Sequence, residues 1–247
     1  MSYALKSLLD YGLFARAEVQ VDRVLEINEQ VWKDPVITEQ AIRELGDPPG
    51  LARGAYSSLR CLALLCETGE PIKTFGRNWD ACVYAYGQER VQKDEGITFK
   101  RGQLRPRSNA RSRPRGLHWV ICEVGRPIDF NVDAGREAFM KNGWMLMGQE
   151  LPMIAALHPQ WVWSMNGQQV PIQMSPDLRV VNGKRRPLVP SLYSAGVSAT
   201  KGLVLRVEDL TPPPPSPYAR ISLSEILGPC SGAQRFGDSF VFYPGSR

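Results

Sequence analysis

Seven of the sixteen residues from Lys100 to Arg115 are basic: Lys100, Arg101, Arg105, Arg107, Arg111, Arg113 and Arg115; none is acidic. Six of the seven are arginines, whose planar guanidinium forks match pairs of phosphate oxygens. Arg107 and Arg111 are four residues apart, as are Arg101 and Arg105. On a helix that step advances about 6 Å, close to the phosphate repeat of a nucleic-acid strand. Ser108, Asn109 and Ser112 add neutral donors suited to sugar and phosphate oxygens. Pro106 suits the first turn of such a helix and Pro114 its end. The same prolines and the mutual repulsion of the arginines also suit an open, solvated loop, and arginine-rich segments often fold only when RNA arrives.

The charge is confined to this segment. The chain of 247 residues carries 30 Lys+Arg against 25 Asp+Glu, a net charge of +5. Without the run the balance is 23 against 25, a net charge of −2. A polyanion partner, nucleic acid first among them, follows from that concentration.

A second candidate is the stretch 194–203, where Gly196 and Gly202 would let backbone amides turn toward an anion. Ser198, Lys201 and Thr200 would complete the cradle. The Walker pattern is absent, and an ordinary glycine-containing strand connection explains the stretch equally well. Asp129 and Asp133 are four apart, but with no histidine beside them Asp133 reads better as a helix cap than as a metal ligand. Trp161 and Trp163 alternate on one strand face and either stack bases or fill a core. Serine- and cysteine-protease constellations have no motif here, and the chain has only two histidines, His118 and His158. The five cysteines are an odd number with no C-x-x-C pair, as expected of reduced thiols in a cytosolic protein. No apolar run approaches the roughly 20 residues of a membrane span, so a soluble, cytoplasmic protein is expected.

Elements must position these residues. A short helix is predicted over 2–11, stopped by Gly12. Ala17, Val19 and Val21 alternate with polar residues and predict a strand. Thr38 caps a helix through Leu45, ended by Gly46. Leu51, Ala55, Leu59, Leu62, Ala63 and Cys66 keep helical spacing and predict a helix over 51–68, closed by Gly69. Strands are predicted at 96–99 and 117–124, on either side of the basic run. Asp133 opens a short helix through Lys141. Two Asn-Gly steps within extended runs make 160–210 antiparallel sheet. Pro212 to Pro215 form a stiff spacer before the closing SFVFYPGSR.

The order of elements gives an α+β fold. Two ferredoxin-like, or RNA-recognition-like, units fit the length, although no internal repeat marks a duplication. The units are expected at 1–132, carrying the arginine-rich segment 100–115 as an inserted finger, and at 133–247, carrying the glycine loop.

The arginine-rich run, the glycine loop and the order of elements together resemble the CRISPR RNA-processing endoribonucleases of the repeat-associated RNA-binding superfamily, the type IV kind in particular. That family has two ferredoxin-like units and a glycine-rich loop in its C-terminal half; its type IV members carry an arginine-rich helical finger. The resemblance implies metal-independent cleavage of repeat RNA beside a hairpin, with no cofactor, by a protein that stays bound to the crRNA and joins other effector subunits. The 2′-hydroxyl would attack the adjacent phosphate, which requires a base, cations for the developing charge, and a donor to the leaving oxygen.

This sequence departs from the family in having no histidine in residues 1–117. His118, directly after the basic run, becomes the candidate base, with a strand-end histidine bonded to backbone as its plainer role. His158, before Pro159 in an apolar stretch, reads as structural. Among Arg16, Arg23, Lys33 and Tyr11, Arg23 is the first choice for holding charge at the phosphate. Arginine cannot serve readily as a base, so positioning and electrostatics would carry the reaction. Two rival functions remain: a non-catalytic RNA-binding subunit, and a viral or plasmid structural protein whose arginines bind nucleic acid nonspecifically.

Overall fold

The computed structural model describes residues 14–49, 59–93, 104–106, 113–124, 144–146, 148–160, 173–174, 178–180, 188–195, 202–209 and 240–242. Helices and strands mix, as expected of an α+β chain. The described helices are α1 (Ala17–Ile27), α2 (Glu39–Glu44), α3 (Pro71–Tyr86) and α4 (Leu151–Leu157). A π-helical turn, Asn28–Trp32, continues α1. The strands are β1 (Leu59–Glu67), β2 (Val91–Lys93), β3 (Leu104–Pro106), β4 (Gly116–Val124), β5 (Trp144–Leu146), β6 (Gln173–Met174), β7 (Leu178–Val180), β8 (Leu188–Ala195), β9 (Gly202–Asp209) and β10 (Phe240–Phe242).

The first sheet has the order β1-β4-β10-β5, and all its neighbours are antiparallel. The second runs β2-β9-β8-β7-β3, with β6 also on β8; only β2–β9 is parallel. Each sheet takes strands from both sides of the expected boundary at 132/133, which therefore runs through both sheets and not between them. The predicted antiparallel pairing is present from β6 to β9, whereas 161–172 lies outside the described residues. So do the predicted helices at 2–11 and 133–141, the predicted strand at 96–99 and the spacer at 212–215.

Two predicted elements take the other form. Residues 59–67, expected as helix, are strand β1, in register with β4 from Leu59↔Val124 to Glu67↔Gly116. The segment LRCLALLCE is apolar at almost every position, so it satisfies helical and strand periods at once. Consecutive residues Ala63, Leu64 and Leu65 are all buried, so both faces of the strand are covered. Residues 17–22, expected as strand, open helix α1. Its buried positions are Gln20, Val24 and Ile27, a helical stripe that six residues of sequence are too short to expose. Thr38 caps α2 as predicted, its Oγ1 accepting from the Ala41 amide at 3.1 Å, and Gly46 follows with φ +74°.

Helix α3 has Pro71 in its first turn and buries Phe75, Asn78, Trp79, Cys82 and Tyr86 along one face. Three of these reach helix α4 and the turn before it. Asn78 Nδ2 donates to Gln149 O at 2.7 Å, Cys82 Sγ to Pro152 O at 2.7 Å, and Tyr86 Oη to Ala155 O at 2.8 Å. A four-residue step on one helix thus meets a three-residue step on the other, the i,i+3/i,i+4 geometry of packed helices. Helix α4 is buried at every position, so its carbonyls depend on such donors for partners.

Strand β1 ends the first sheet, and its outer edge is covered by side chains. Gln20 Nε2 donates to Leu62 O at 3.1 Å and to Ala15 O at 2.9 Å, while Gln20 Oε1 accepts from the Leu64 amide at 3.0 Å. His158 completes the seal through Leu62 O at 2.8 Å. An edge that would otherwise offer free pairing groups is closed from within.

Candidate nucleic-acid interface

Three parts of the basic run fall within the described residues. Arg105 lies on β3, the outermost strand of the second sheet, opposite Arg179 of β7. Residues 104–106 are strand, and 107–112, where the helix between Pro106 and Pro114 is expected, lie outside the described residues. Lys100, Arg101, Arg107 and Arg111 lie outside the described residues.

Arg113 turns inward. Its Nε sits 2.5 Å from Glu150 Oε1, with the two side chains 5% and 0% exposed. Glu150 Oε2 accepts from the Gly148 amide at 2.8 Å, just ahead of the N-terminus of α4, where negative charge is favoured. The phosphate contact expected of Arg113 is thus replaced by an internal ion pair, because a carboxylate buried at a helix start needs a cation beside it. Arg115 is exposed; its Nε donates to Thr68 O at 3.2 Å. The guanidinium crosses Gly69, where a Cβ would stand 2.7 Å from Arg115 Nε.

His118 follows on β4, opposite Leu65. Its Nε2 lies 2.9 Å from Arg115 O, and with a carbonyl as partner that nitrogen carries the proton. The strand-end role with a backbone partner is therefore present, and it holds the ring beside the last arginine of the run.

Arg23, the first choice for a catalytic cation, lies mid-way along α1, and its Nη1 donates to Leu157 O. A guanidinium on the last carbonyl of buried α4 is a C-terminal cap, favoured also by the helix dipole. That contact engages one nitrogen of the guanidinium chosen as the catalytic cation. Of the other three, Arg16 is the exposed N-cap residue of α1, Lys33 is exposed at φ +53°, and Tyr11 lies outside the described residues.

His158 is wholly buried. Its Nδ1 accepts from the Ala15 amide at 3.0 Å, so Nε2 carries the proton and donates to Leu62 O, and its ring meets Phe14 edge-on at 5.3 Å. The structural reading of this residue is met in full. In the glycine loop, Gly202 opens β9 opposite Ala195 of β8, and Gly196, Ser198 and Lys201 lie outside the described residues. So do Asp129, Asp133, Trp161 and Trp163. Cys61, Cys66, Cys82 and Cys122 are buried free thiols. Burial pushes Cys66, Cys82 and Cys122 above the usual thiol range. Among the described residues, no cluster of histidine, cysteine or carboxylate side chains could hold a metal ion, and no helix is long and apolar enough to cross a membrane.

One constellation carried no sequence signal. Arg77 of α3 stacks its guanidinium carbon 4.3 Å over the Trp32 ring and donates from Nη1 to Asp34 Oδ2 at 3.0 Å. Trp32 Nε1 donates back to Arg77 O at 3.0 Å. These residues are more than forty positions apart, and no local pattern joins them.

Compared with protein families, curated proteins and solved structures, the chain has no significant match to any of them.

Proposed function

We propose that this chain is an RNA-binding protein of the CRISPR repeat-RNA-processing kind, gripping RNA through the segment from Lys100 to Arg115. One observation carries the reading: seven basic and no acidic residues in sixteen, in a chain otherwise of net charge −2. With Arg113 engaged by Glu150, the grip falls to Lys100, Arg101, Arg105, Arg107, Arg111 and Arg115, with Gly196, Ser198, Lys201 and Gly202 as a second contact. Two ferredoxin-like units, a cytoplasmic setting and partnership with other effector subunits belong to the same reading.

Cleavage is the fuller form of the proposal. With Arg23 capping α4, it centres on His118, whose ring is bonded to the Arg115 carbonyl. Incubation with a repeat-hairpin RNA in EDTA should give one cut beside the hairpin, leaving a cyclic phosphate. Intact RNA under conditions where the protein visibly binds would remove the cleavage step and leave an RNA-binding subunit. Equal affinity for hairpin RNA and for duplex DNA, with equal salt dependence, would overturn RNA recognition in favour of nonspecific polyanion binding.

A further inference from the structure

The loop 34–37 and helix α2 close over one end of the β1–β4 pair and leave a cavity of about 580 Å³. That volume falls within the range of small-molecule sites. Its wall is mainly apolar, from Val36, Ile37, Leu45 and Leu117, and two arginines, Arg77 and Arg115, also line it. Two carboxylates also line it, and both have partners: Asp34 takes Arg77 Nη1 and the Val36 amide, and Glu67 takes Gln149 Nε2 at 2.5 Å.

Arg77 is held on one edge and one face only. Asp34 takes Nη1 and Trp32 covers the plane, while Nε and Nη2 are buried without a hydrogen-bond partner. Those two atoms form the side-on fork of a guanidinium, which matches two oxygens of a carboxylate or phosphate. A buried fork with both N–H groups unmet costs several times a normal hydrogen bond, and such a gap in a folded protein calls for a missing partner. The stacking and the Asp34 contact fix the fork in advance, which is the arrangement a binding site needs.

We propose that this cavity binds an oxyanion, a phosphate or carboxylate group carried on a compact apolar or planar body. Arg77 Nε and Nη2 receive the anion, Arg115 supplies a second cation at the rim, and the aliphatic wall takes the body. Both Arg77 nitrogens are closed to solvent, so binding requires a local movement that uncovers them. The site shares Arg115 with the RNA reading but uses none of residues 100–111, so changes there separate the two.

Calorimetric titration of the full chain with inorganic phosphate, uridine monophosphate and benzoate tests this, alongside the ¹⁵N signals of the arginine Nε groups. Binding of one or more of the three, with a shift of the Arg77 Nε signal, is expected. Tighter binding of the nucleotide assigns a nucleotide phosphate, and preference for benzoate assigns a carboxylate ligand. Arg77→Lys keeps the charge, loses the fork and should weaken binding by about tenfold or more. Arg115→Gln, at an exposed position, provides a second variant that should weaken binding with the fold intact. The triple change Arg105→Ala, Arg107→Ala and Arg111→Ala should leave oxyanion binding unchanged while reducing RNA affinity. No binding of any of the three, or binding that Arg77→Lys and Arg115→Gln both leave intact, overturns the site.

Discussion

Gln20 and His158 donate to the same oxygen, the main-chain carbonyl of Leu62, at 3.1 and 2.8 Å. Each also meets a second backbone group, so together they tie the start of α1 and the end of α4 to the outer edge of β1. Either donor alone still satisfies that oxygen. Gln20→Leu and His158→Phe should each cost about 2 kcal/mol, because each leaves a buried amide unmet. The double variant should cost about 1 kcal/mol more than the sum, since only then is Leu62 O orphaned. Urea denaturation of the four proteins measures this; strict additivity would show that the shared oxygen matters little.

An alanine scan of the basic segment should divide it by burial. Arg113→Ala removes the cation beside the buried Glu150 carboxylate and should lose about 3 kcal/mol or more of stability. Arg115→Ala removes an exposed side chain and should change stability by no more than about 1 kcal/mol. Thermal melts separate the two, and comparable losses at both positions would contradict the inward placement of Arg113.

The two glycines at the ends of the first described turns should respond differently to alanine. Gly46 at φ +74° faces open space, so Gly46→Ala should cost about 1 kcal/mol from backbone strain alone. Gly69 at φ +82° lies under Arg115, so Gly69→Ala should cost more and displace the guanidinium. Denaturation midpoints rank the pair, and the reverse order would refute the contact.

Stability should fall on the alkaline side. Burial raises the thiols of Cys66, Cys82 and Cys122 above their ordinary value of 9.0 and pushes the Tyr86 phenol well above 10.0. Below pH 9 these groups hold their protons in both states and contribute no slope. Above it the unfolded chain loses protons that the folded chain keeps, so unfolding becomes easier as pH rises. Melting temperatures from pH 7.5 to 10.5 should decline beyond about pH 9, with a shallower fall in Cys82→Ala. A flat profile would argue against the burial of these thiols.

How much of this was legible in the residues depended on how much local information each element carried. Thr38 and Gly46 mark both ends of α2 because a cap and a left-handed glycine act within one turn. Strand β4 was read within one residue of its start. The segment 59–67 misled because it is apolar at almost every position, and only its pairing with β4 decides its form. Helix α3 passed unnoticed although Phe75, Trp79, Cys82 and Tyr86 trace one face behind Pro71. Helix α4 had no polar face to betray a period. In the basic run, the arginine count raised the expectation of a polyanion, but the inward turn of Arg113 depends on Glu150, thirty-seven residues away. The role of Arg23 depends likewise on the carbonyl of Leu157, which no sequence window contains.

Strand β3 and the Arg113–Glu150 pair together set a limit on reach. Pro106 is paired to Leu178 in the second sheet, and Arg113 is fastened to Glu150, so the stretch between them has both ends moored. An extended chain spans about 3.5 Å per residue, so a stretch leaving one mooring and returning to the other rises no more than about 12 Å. That is about two phosphate spacings. In the proposed RNA grip, that length bounds how far from the two moorings a strand can be held. Under the proposed function, an RNA would be met on the β3 side of the sheet, by a short clasp and not by an arm.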